Sequence, residues 1–471
     1  MFFSDISKCF SSIYTHTLFW ATADVLTAKD NTLAATFSNK FDRLMQSTNF
    51  NETNGICVGA EVSRVFAELI LSEADREAIA ILDSKGIIHR RDYEFRRYVD
   101  DYFIFAKDKL TAEKVLASIQ IALQKFNMHL SEEKTLGLPR PFVTSKSKLI
   151  REAARSLDEF FSKFIEGGRH QGRRFIYPKY IWRPTALIRS LLDSIKGNCL
   201  DQQAGYNLTS NYIIGALVSR ISSLIDDYDK GIDQDQVSDE NYVGALLALL
   251  ETTYFFYNVD PTVPSSLRVA QAAIQCADFF RDKMPTQAAF FAEQVVRWTF
   301  QFIRGLKGAT THRDTNCVPL EALNILLVFG EIGREEALAR QTITEFCGAV
   351  EELEYFEIIS FLFCMGGAPD FGELRKALFS RGRELALSGL GVRTDSQAAH
   401  MALDLLACPH LDRGDKIALF NELRMQVGLA QVSNADAESA VEGFETQPWF
   451  VDWRSTNLLR MIRKKELSGV Y

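Results

Sequence analysis

Three acids have the types and spacing for chemistry: Asp5, Asp100 and Asp101. Asp5 follows a short run, Phe2-Phe3-Ser4. Asp100 and Asp101 stand side by side between Phe95-Arg96-Arg97-Tyr98-Val99 and Tyr102-Phe103-Ile104-Phe105. That pattern reads as strand, tight turn, strand. Adjacent carboxylates at such a turn repel one another, and any burial penalises both. A divalent cation removes that cost. Carboxylate oxygens are hard ligands suited to Mg²⁺, which keeps several waters and completes its shell with substrate phosphates; Mn²⁺ is the alternative ion. A strand that brought Asp5 to the Asp100 turn would make a two-metal clamp for in-line phosphoryl transfer. Taken alone, Asp100-Asp101 also fits a solvated β-turn, where Asp is common.

The elements that must position these acids mix strand and helix, an α+β pattern. Residues 2–6 read as a strand. Residues 42–47 are polar and read as loop. Residues 62–80 carry Val65, Leu69, Leu71, Ala74 and Ala78 near helical spacing. Residues 95–105 give the hairpin, 111–126 an amphipathic helix, and 130–138 an extended segment. From about residue 185 the text changes to successive amphipathic helical segments with short polar breaks and almost no strand signal. Helix pairs at roughly 35–45 residues would suit a degenerate HEAT-like solenoid. The acidic stretch 226–240 reads as an exposed loop. The expected domains are therefore 1–150, a connector or thumb-like element at 151–184, and an all-α helical-repeat domain at 185–471.

Composition bounds the partners. The chain has 471 residues, long enough for two or three domains. Its formal net charge is -8, yet residues 1–150 hold 19 Lys+Arg against 19 Asp+Glu, so the deficit lies beyond them. Global charge thus does not exclude nucleic acid, which needs only a local basic channel. Eight scattered cysteines with no CxxC pair read as reduced thiols of a cytoplasmic protein. No apolar run is long enough to span a bilayer, and the opening segment carries Asp5 and no basic n-region, unlike a secretory signal.

Four motifs together resemble reverse transcriptases. Tyr98-Val99-Asp100-Asp101 is similar to their YxDD box. Asp5-Ile6-Ser7-Lys8-Cys9-Phe10 resembles their first palm motif, an Asp followed five residues later by an aromatic. Asn54-Gly55-Ile56-Cys57-Val58-Gly59, with Glu61-Val62-Ser63-Arg64, resembles the Gly-rich turn and helix that follow. Leu130-Ser131-Glu132-Glu133-Lys134-Thr135 resembles the later motif with its lysine. Within the family, Ser12-Ile13-Tyr14-Thr15-His16 and Ser63-Arg64-Val65-Phe66-Ala67-Glu68 look like bacterial defence reverse transcriptases, including the abortive-infection group. Members of that group often carry a C-terminal helical-repeat domain, and some make DNA without a template, primed on protein.

The resemblance implies a reverse-transcriptase palm, an antiparallel sheet with packed helices, that makes DNA from dNTPs on DNA or RNA in phage defence. Asp5 and Asp100 would bind the two metals, Asp101 would assist, and the Ile6 carbonyl would be a further ligand. Phe10 would be the steric gate that favours deoxynucleotides. Gly55 and Gly59 would let the backbone approach the nascent pair, and Tyr98 would touch substrate. Arg64 would lie near template or substrate; a surface salt bridge fits it equally. Lys134 would neutralise or protonate the leaving pyrophosphate. Cys57 stands where family members usually have Pro. Reverse transcriptases place a fingers region ahead of the first motif, so the resemblance implies that it lies upstream of this sequence or comes from a second polypeptide. A homo-oligomer is likewise expected from the family. The alternative reading is a degenerate palm acting as a scaffold, with the helical domain binding a partner or phage component.

Residues 169–183 interleave basic and aromatic side chains. Arg173, Arg174, Lys179 and Arg183 would hold phosphates while Tyr177, Tyr180 or Trp182 stack bases. An interdomain linker docking its aromatics reads equally well. Arg90-Arg91 and Arg96-Arg97 flank the hairpin and would meet a primer strand, or simply balance Asp92 and Glu94. Arg460, Arg463, Lys464 and Lys465 read as a solvated helix end.

Overall fold

The structure is a computed structural model, and it describes residues 1–32, 35–138, 140, 144–170, 172–201, 205–232, 238–310, 318–332, 337–389, 391–454 and 457–467. The chain divides into two compact units, Met1–Thr144 and Ser145–Tyr471.

Unit 1 is α+β. Its elements run β1 (Phe2–Asp5), α1 (Cys9–Ser12), α2 (Thr17–Thr22), α3 (Val25–Asp30), α4 (Phe37–Ser47), α5 (Glu61–Ser84), β2 (Tyr93–Tyr98), β3 (Asp101–Ala106), α6 (Lys109–Gln124) and β4 (Leu136–Gly137). The four strands form one antiparallel sheet in the order β2-β3-β1-β4. Strand alternation sorts the side chains. Tyr93, Phe95, Tyr102 and Ile104 turn inward, where they join Phe66, Ile70 and Leu71 of α5 and Val115 and Ile119 of α6 in one core. Full burial of a side chain such as Phe66 contributes about 1.5–3 kcal/mol. The Phe3 and Phe103 rings meet at 5.2 Å on the other face, the face that also takes Asp101.

The order strand, helix, hairpin, helix appears as the sequence implies, with two differences. Residues 42–47 are the end of helix α4, not loop. Thr36 caps it by accepting a hydrogen bond from the Asn39 N–H, and Phe37, Phe41 and Met45 recur every fourth residue. Ser38, Asn39 and Asp42, polar yet buried beside that stripe, hid it. The segment 130–138 is extended only in part: Leu130 bridges Ile6 singly, and β4 is two residues long.

Unit 2 starts with helix α7 (Ser145–Ser162) and the hairpin β5 (Ile165–His170) and β6 (Arg173–Pro178). Every element described after it is helical: α8 (Pro184–Asp201), α9 (Ser210–Asp226), α10 (Tyr228–Ile232), α11 (Asp239–Val259), α12 (Val263–Lys283), α13 (Pro285–Thr310), α14 (Leu320–Ile332), α15 (Ala337–Cys347), α16 (Tyr355–Met365), α17 (Gly372–Leu387), α18 (Ser396–Ala407), α19 (Arg413–Gln426), α20 (Asn434–Glu445) and α21 (Leu458–Leu467), with short 3₁₀ turns between. Residues 151–184, read from the sequence as a connector or thumb-like element, belong to this unit: Phe160, Phe164 and Phe175 are buried in its core. The stretch 226–240, read as loop, contains α10 and the start of α11; residues 233–237 and also Gln171, His312 and Cys317 lie outside the described residues. Among the described cysteines none forms a disulfide, and only Cys57 is exposed. No helix among the described residues is long and apolar enough to cross a membrane.

Candidate active site

The sheet register brings the acids together. Asp5 ends β1 and pairs across the sheet with Asp101, the first residue of β3. Paired residues put their side chains on the same face. The chain leaves β1 with the Ile6 N–H donating to the Asp100 carbonyl at 3.1 Å, while the Ser131 N–H donates to the Asp5 carbonyl at 2.7 Å. One carboxylate oxygen from each of Asp5, Asp100 and Asp101 lies within 4.8 Å of the other two. Asp5 is buried and the other two are half-buried.

This cluster is electrostatically costly. Burial raises the pKa of Asp100 above the usual carboxylate range, and Asp5 and Asp101 raise it further; burial and then Asp5 do the same for Asp101. The buried Cys9 thiol nearby is pushed up to about 12, by burial first and then by Asp100. The Lys134 ammonium pairs with Asp5, and that hydrogen bond holds its own pKa above the ordinary lysine value. Lys134 reaches Asp5 because its loop is pinned: Ser4 Oγ and Thr135 Oγ1 share a hydrogen bond of 2.8 Å, and Thr135 Oγ1 donates to the Ser131 carbonyl at 2.7 Å. Three convergent carboxylates are the donor set of a hard divalent cation.

The turn that carries Asp100 is strained. Tyr98 pairs with Asp101, so Val99 and Asp100 form a two-residue turn, and Val99 sits at φ 54°. A positive φ at the first turn position belongs to the hairpin turns that usually employ Gly or Asn. A β-branched residue is a rare occupant there. Such strain persists only where neighbours enforce it. Here the enforcer is Arg97. Its guanidinium donates to the Val99 carbonyl at 2.8 Å, to Glu68 at 2.8 and 2.9 Å and to Asp75 at 2.9 Å. Tyr102 donates to the other Asp75 oxygen at 2.6 Å. The Arg97 side chain is only 5% exposed. Burial opposes its charge, but Glu68 and Asp75 overcome that and hold its pKa above the ordinary guanidinium value. Glu68 is lowered, chiefly by its hydrogen bond from Arg97. Asp75 is raised, because burial outweighs Arg97 there.

The other residues singled out from sequence are placed as follows. Phe10 lies in α1, half-buried against the unit 1 core, and its carbonyl accepts from the Ile56 N–H at 2.9 Å. The Gly55 N–H donates to the Ile13 carbonyl at 2.8 Å, so the Gly-rich turn is tied to the helix that follows Asp5. Gly55 has φ 84°, and a Cβ there would meet the Ser11 carbonyl oxygen at 3.4 Å; Gly59 has φ 100° and open space around it. We expect Gly55→Ala to destabilise unit 1 by about 1–2 kcal/mol, read as a shift of the urea midpoint. Tyr98 is 65% exposed beside the turn. Arg64 is half-buried and donates from Nε to both Glu61 oxygens at 3.0 Å, an i,i+3 surface pair. Arg91 pairs with Asp92, and Arg96 with Glu94, so these two balance local acids while Arg97 points inward.

In unit 2, Arg173, Arg174 and Arg183 are exposed, and Lys179 Nζ donates to Glu166 at 2.8 Å. Trp182 is 86% exposed, with its ring edge-on to Tyr180 at 5.2 Å. Arg460, Arg463 and Lys464 lie on the final helix α21; nothing is described of the Lys465 side chain.

The acid cluster, the strained hairpin and the lysine loop all lie within unit 1. Residues 1–143 match the family model described as reverse transcriptase (RNA-dependent DNA polymerase). No curated protein matches the chain. The reverse transcriptase domain thus coincides with unit 1, and it implies nucleotide and nucleic-acid substrates and divalent metal.

Proposed function

We propose that this chain is a DNA polymerase of reverse-transcriptase type, RNA-directed or template-independent, that joins dNTPs by two-metal nucleotidyl transfer. The observation that carries this reading is the convergence of Asp5, Asp100 and Asp101 oxygens within 4.8 Å inside a reverse transcriptase domain. Asp5 and Asp100 would hold two Mg²⁺ or Mn²⁺ ions, with Asp101 and the Ile6 carbonyl assisting. Bound there, such ions activate a 3′-hydroxyl and stabilise the leaving pyrophosphate. Lys134, 65% exposed at its side chain, would turn from Asp5 to the phosphates and hand on a proton. Tyr98, Gly55, Gly59 and Arg64 would line the substrate. The test is divalent-metal-dependent incorporation of labelled dNTPs by the full chain.

Phe10 is proposed as the sugar gate. Its place in the helix next to the acids supports that role. Phe10→Ala should therefore let ribonucleotides in. We expect the preference for dNTP over NTP, as a ratio of kcat/KM, to fall by on the order of 10²-fold, since removing a steric clash of this kind is worth a few kcal/mol. An unchanged ratio would remove Phe10 from the substrate site.

The setting we propose is bacterial antiviral defence, in the cytoplasm. The support is Tyr14-Thr15-His16 and Ser63-Arg64 in the sequence, together with a large helical unit after the polymerase. That unit is proposed as a HEAT-like repeat. Packing of α9 on α11, α12 on α14 and α17 on α18 supports it. Arg173, Arg174, Lys179 and Arg183, beside exposed Trp182, are proposed to hold nucleic acid.

A further inference from the structure

The Tyr14-Thr15-His16 segment has no part in the acid cluster, yet it is tightly built. The Thr15 N–H donates to the Thr53 carbonyl at 2.8 Å, and Tyr14 bridges Asn54. His16 Nδ1 meets Asp42 Oδ2 at 2.5 Å, and Gln46 Nε2 donates to Asp42 Oδ1 at 2.7 Å. Asp42 is buried, so both of its oxygens are committed and the imidazole is held in one orientation. His16 itself is 43% exposed. With Nδ1 taken, Nε2 is the polar atom the ring has left for a ligand.

His16 opens on a cleft of about 400 Å³, within the usual range of small-ligand sites. Tyr14 and Trp20 supply its aromatic surface: the Tyr14 ring is edge-on to His16 at 4.9 Å and to Trp20 at 5.9 Å. Lys29 and Arg43 supply its charge. Both are exposed, and among the described residues neither makes an ion pair. Lys29 and Arg43 outnumber Asp42, the acid among the cleft's lining residues, so its field is cationic. Cations beside aromatic faces and a fixed imidazole match one chemistry: a phosphodiester whose neighbouring base can stack.

We propose that this cleft binds one nucleotide unit of a single-stranded nucleic acid, with Lys29 and Arg43 on phosphate, Tyr14 or Trp20 against a base, and His16 Nε2 as a fixed polar contact. The kind of ligand rests on the polymerase reading; the cleft's geometry and charge do not.

The test uses the full chain in EDTA, so that no synthesis occurs. Single-stranded oligodeoxynucleotide substituted with 5-iododeoxyuridine is photo-crosslinked, and the modified peptide is mapped by mass spectrometry. We expect the adduct on Tyr14 or Trp20. A thymidylate oligomer should compete with it far better than dTMP at equal nucleotide concentration. Lys29→Glu and Arg43→Glu, both at exposed positions, should each lower its yield roughly 10-fold and reduce the salt dependence of binding. Their thermal unfolding should be unchanged. An adduct mapping elsewhere, a yield indifferent to both reversals, or equal competition by dTMP overturns the proposal. Asp100→Asn should leave the adduct intact. A chain that crosslinks in the cleft but never polymerises would therefore refute the polymerase reading and keep this one.

Discussion

Asp100→Asn should abolish dNTP incorporation, by on the order of 10³-fold or more, while making the metal-free chain more stable. The two halves have one cause. Asp100 faces Asp5 and Asp101, and both its burial and these neighbours raise its pKa. Folding therefore works against its charge. Replacing the carboxylate with an amide relieves that repulsion, and in EDTA we expect a gain of roughly 0.5–2 kcal/mol, the usual size when an active-site compromise is undone. In catalysis the same carboxylate is indispensable, because an amide oxygen carries no net charge to hold a cation. The pH dependence follows with a definite sign. A carboxyl whose folded pKa lies above its unfolded value binds protons more tightly in the native state. Its contribution favours folding at low pH and is lost as pH rises through the folded pKa. Stability of the EDTA-treated protein should thus fall from Asp100 and Asp101 as the solution is taken from acid toward neutral. Saturating Mg²⁺ should reverse that trend near neutrality, since a ligand bound only to the native state stabilises it. Calorimetric scans with and without metal, on wild type and Asp100→Asn, read both effects. If Mg²⁺ shifts the wild type and the variant equally, the three acids do not form the ion site.

Several parts of this arrangement were open to reading from the residues alone, for physical reasons. Strand alternation and the Asp100-Asp101 pair located the hairpin but set its turn one residue late: the turn is Val99-Asp100, and Asp101 already pairs with Tyr98 as the first residue of β3. That Asp5 would face it required a long-range register, which local patterning cannot fix; only four motifs in family order pointed to it. Helix α4 was hidden because Ser38, Asn39, Asp42 and Gln46 make it look like loop, although Asn39 and Asp42 are buried and work as polar ties. Residues 151–184 left two readings open for another reason. The basic and aromatic mixture at 169–183 fits a nucleic-acid tract and a docked linker equally, and only the fold shows Phe175 entering the core while Arg173 and Arg174 stay exposed. A short hairpin sorts mixed residues by face, and composition averages that sorting away. The Arg97 cluster had a usable signal. Tyr93, Phe95 and Arg97 alternate on the inward face of β2, and Glu68 and Asp75 lie seven residues apart, on one side of α5.

That cluster supplies the largest expected loss of stability. Arg97→Met should destabilise unit 1 by about 3–5 kcal/mol, the range for removing one partner of a buried ion cluster. The methionine fills much of the space, so packing is not the main loss. Glu68 and Asp75 would be left without their cation, with Asp75 already raised by burial. The Val99 carbonyl would lose its donor, and the positive φ of Val99 would lose what enforces it. Replacing Asp75 as well, in Arg97→Met with Asp75→Asn, should recover part of the loss, because an amide leaves a smaller desolvation penalty beside Tyr102. The coupling between the two sites, measured by urea denaturation in a double-mutant cycle, should be well above that of distant pairs. A second consequence separates support of the turn from general stability. Val99→Gly removes the β-branched side chain at positive φ, and if Arg97 acts by holding that strained turn, the glycine should restore some of the metal binding lost in Arg97→Met. If Arg97→Met binds Mg²⁺ as tightly as wild type at a temperature where both are folded, Arg97 stabilises the domain without shaping the Asp100 turn.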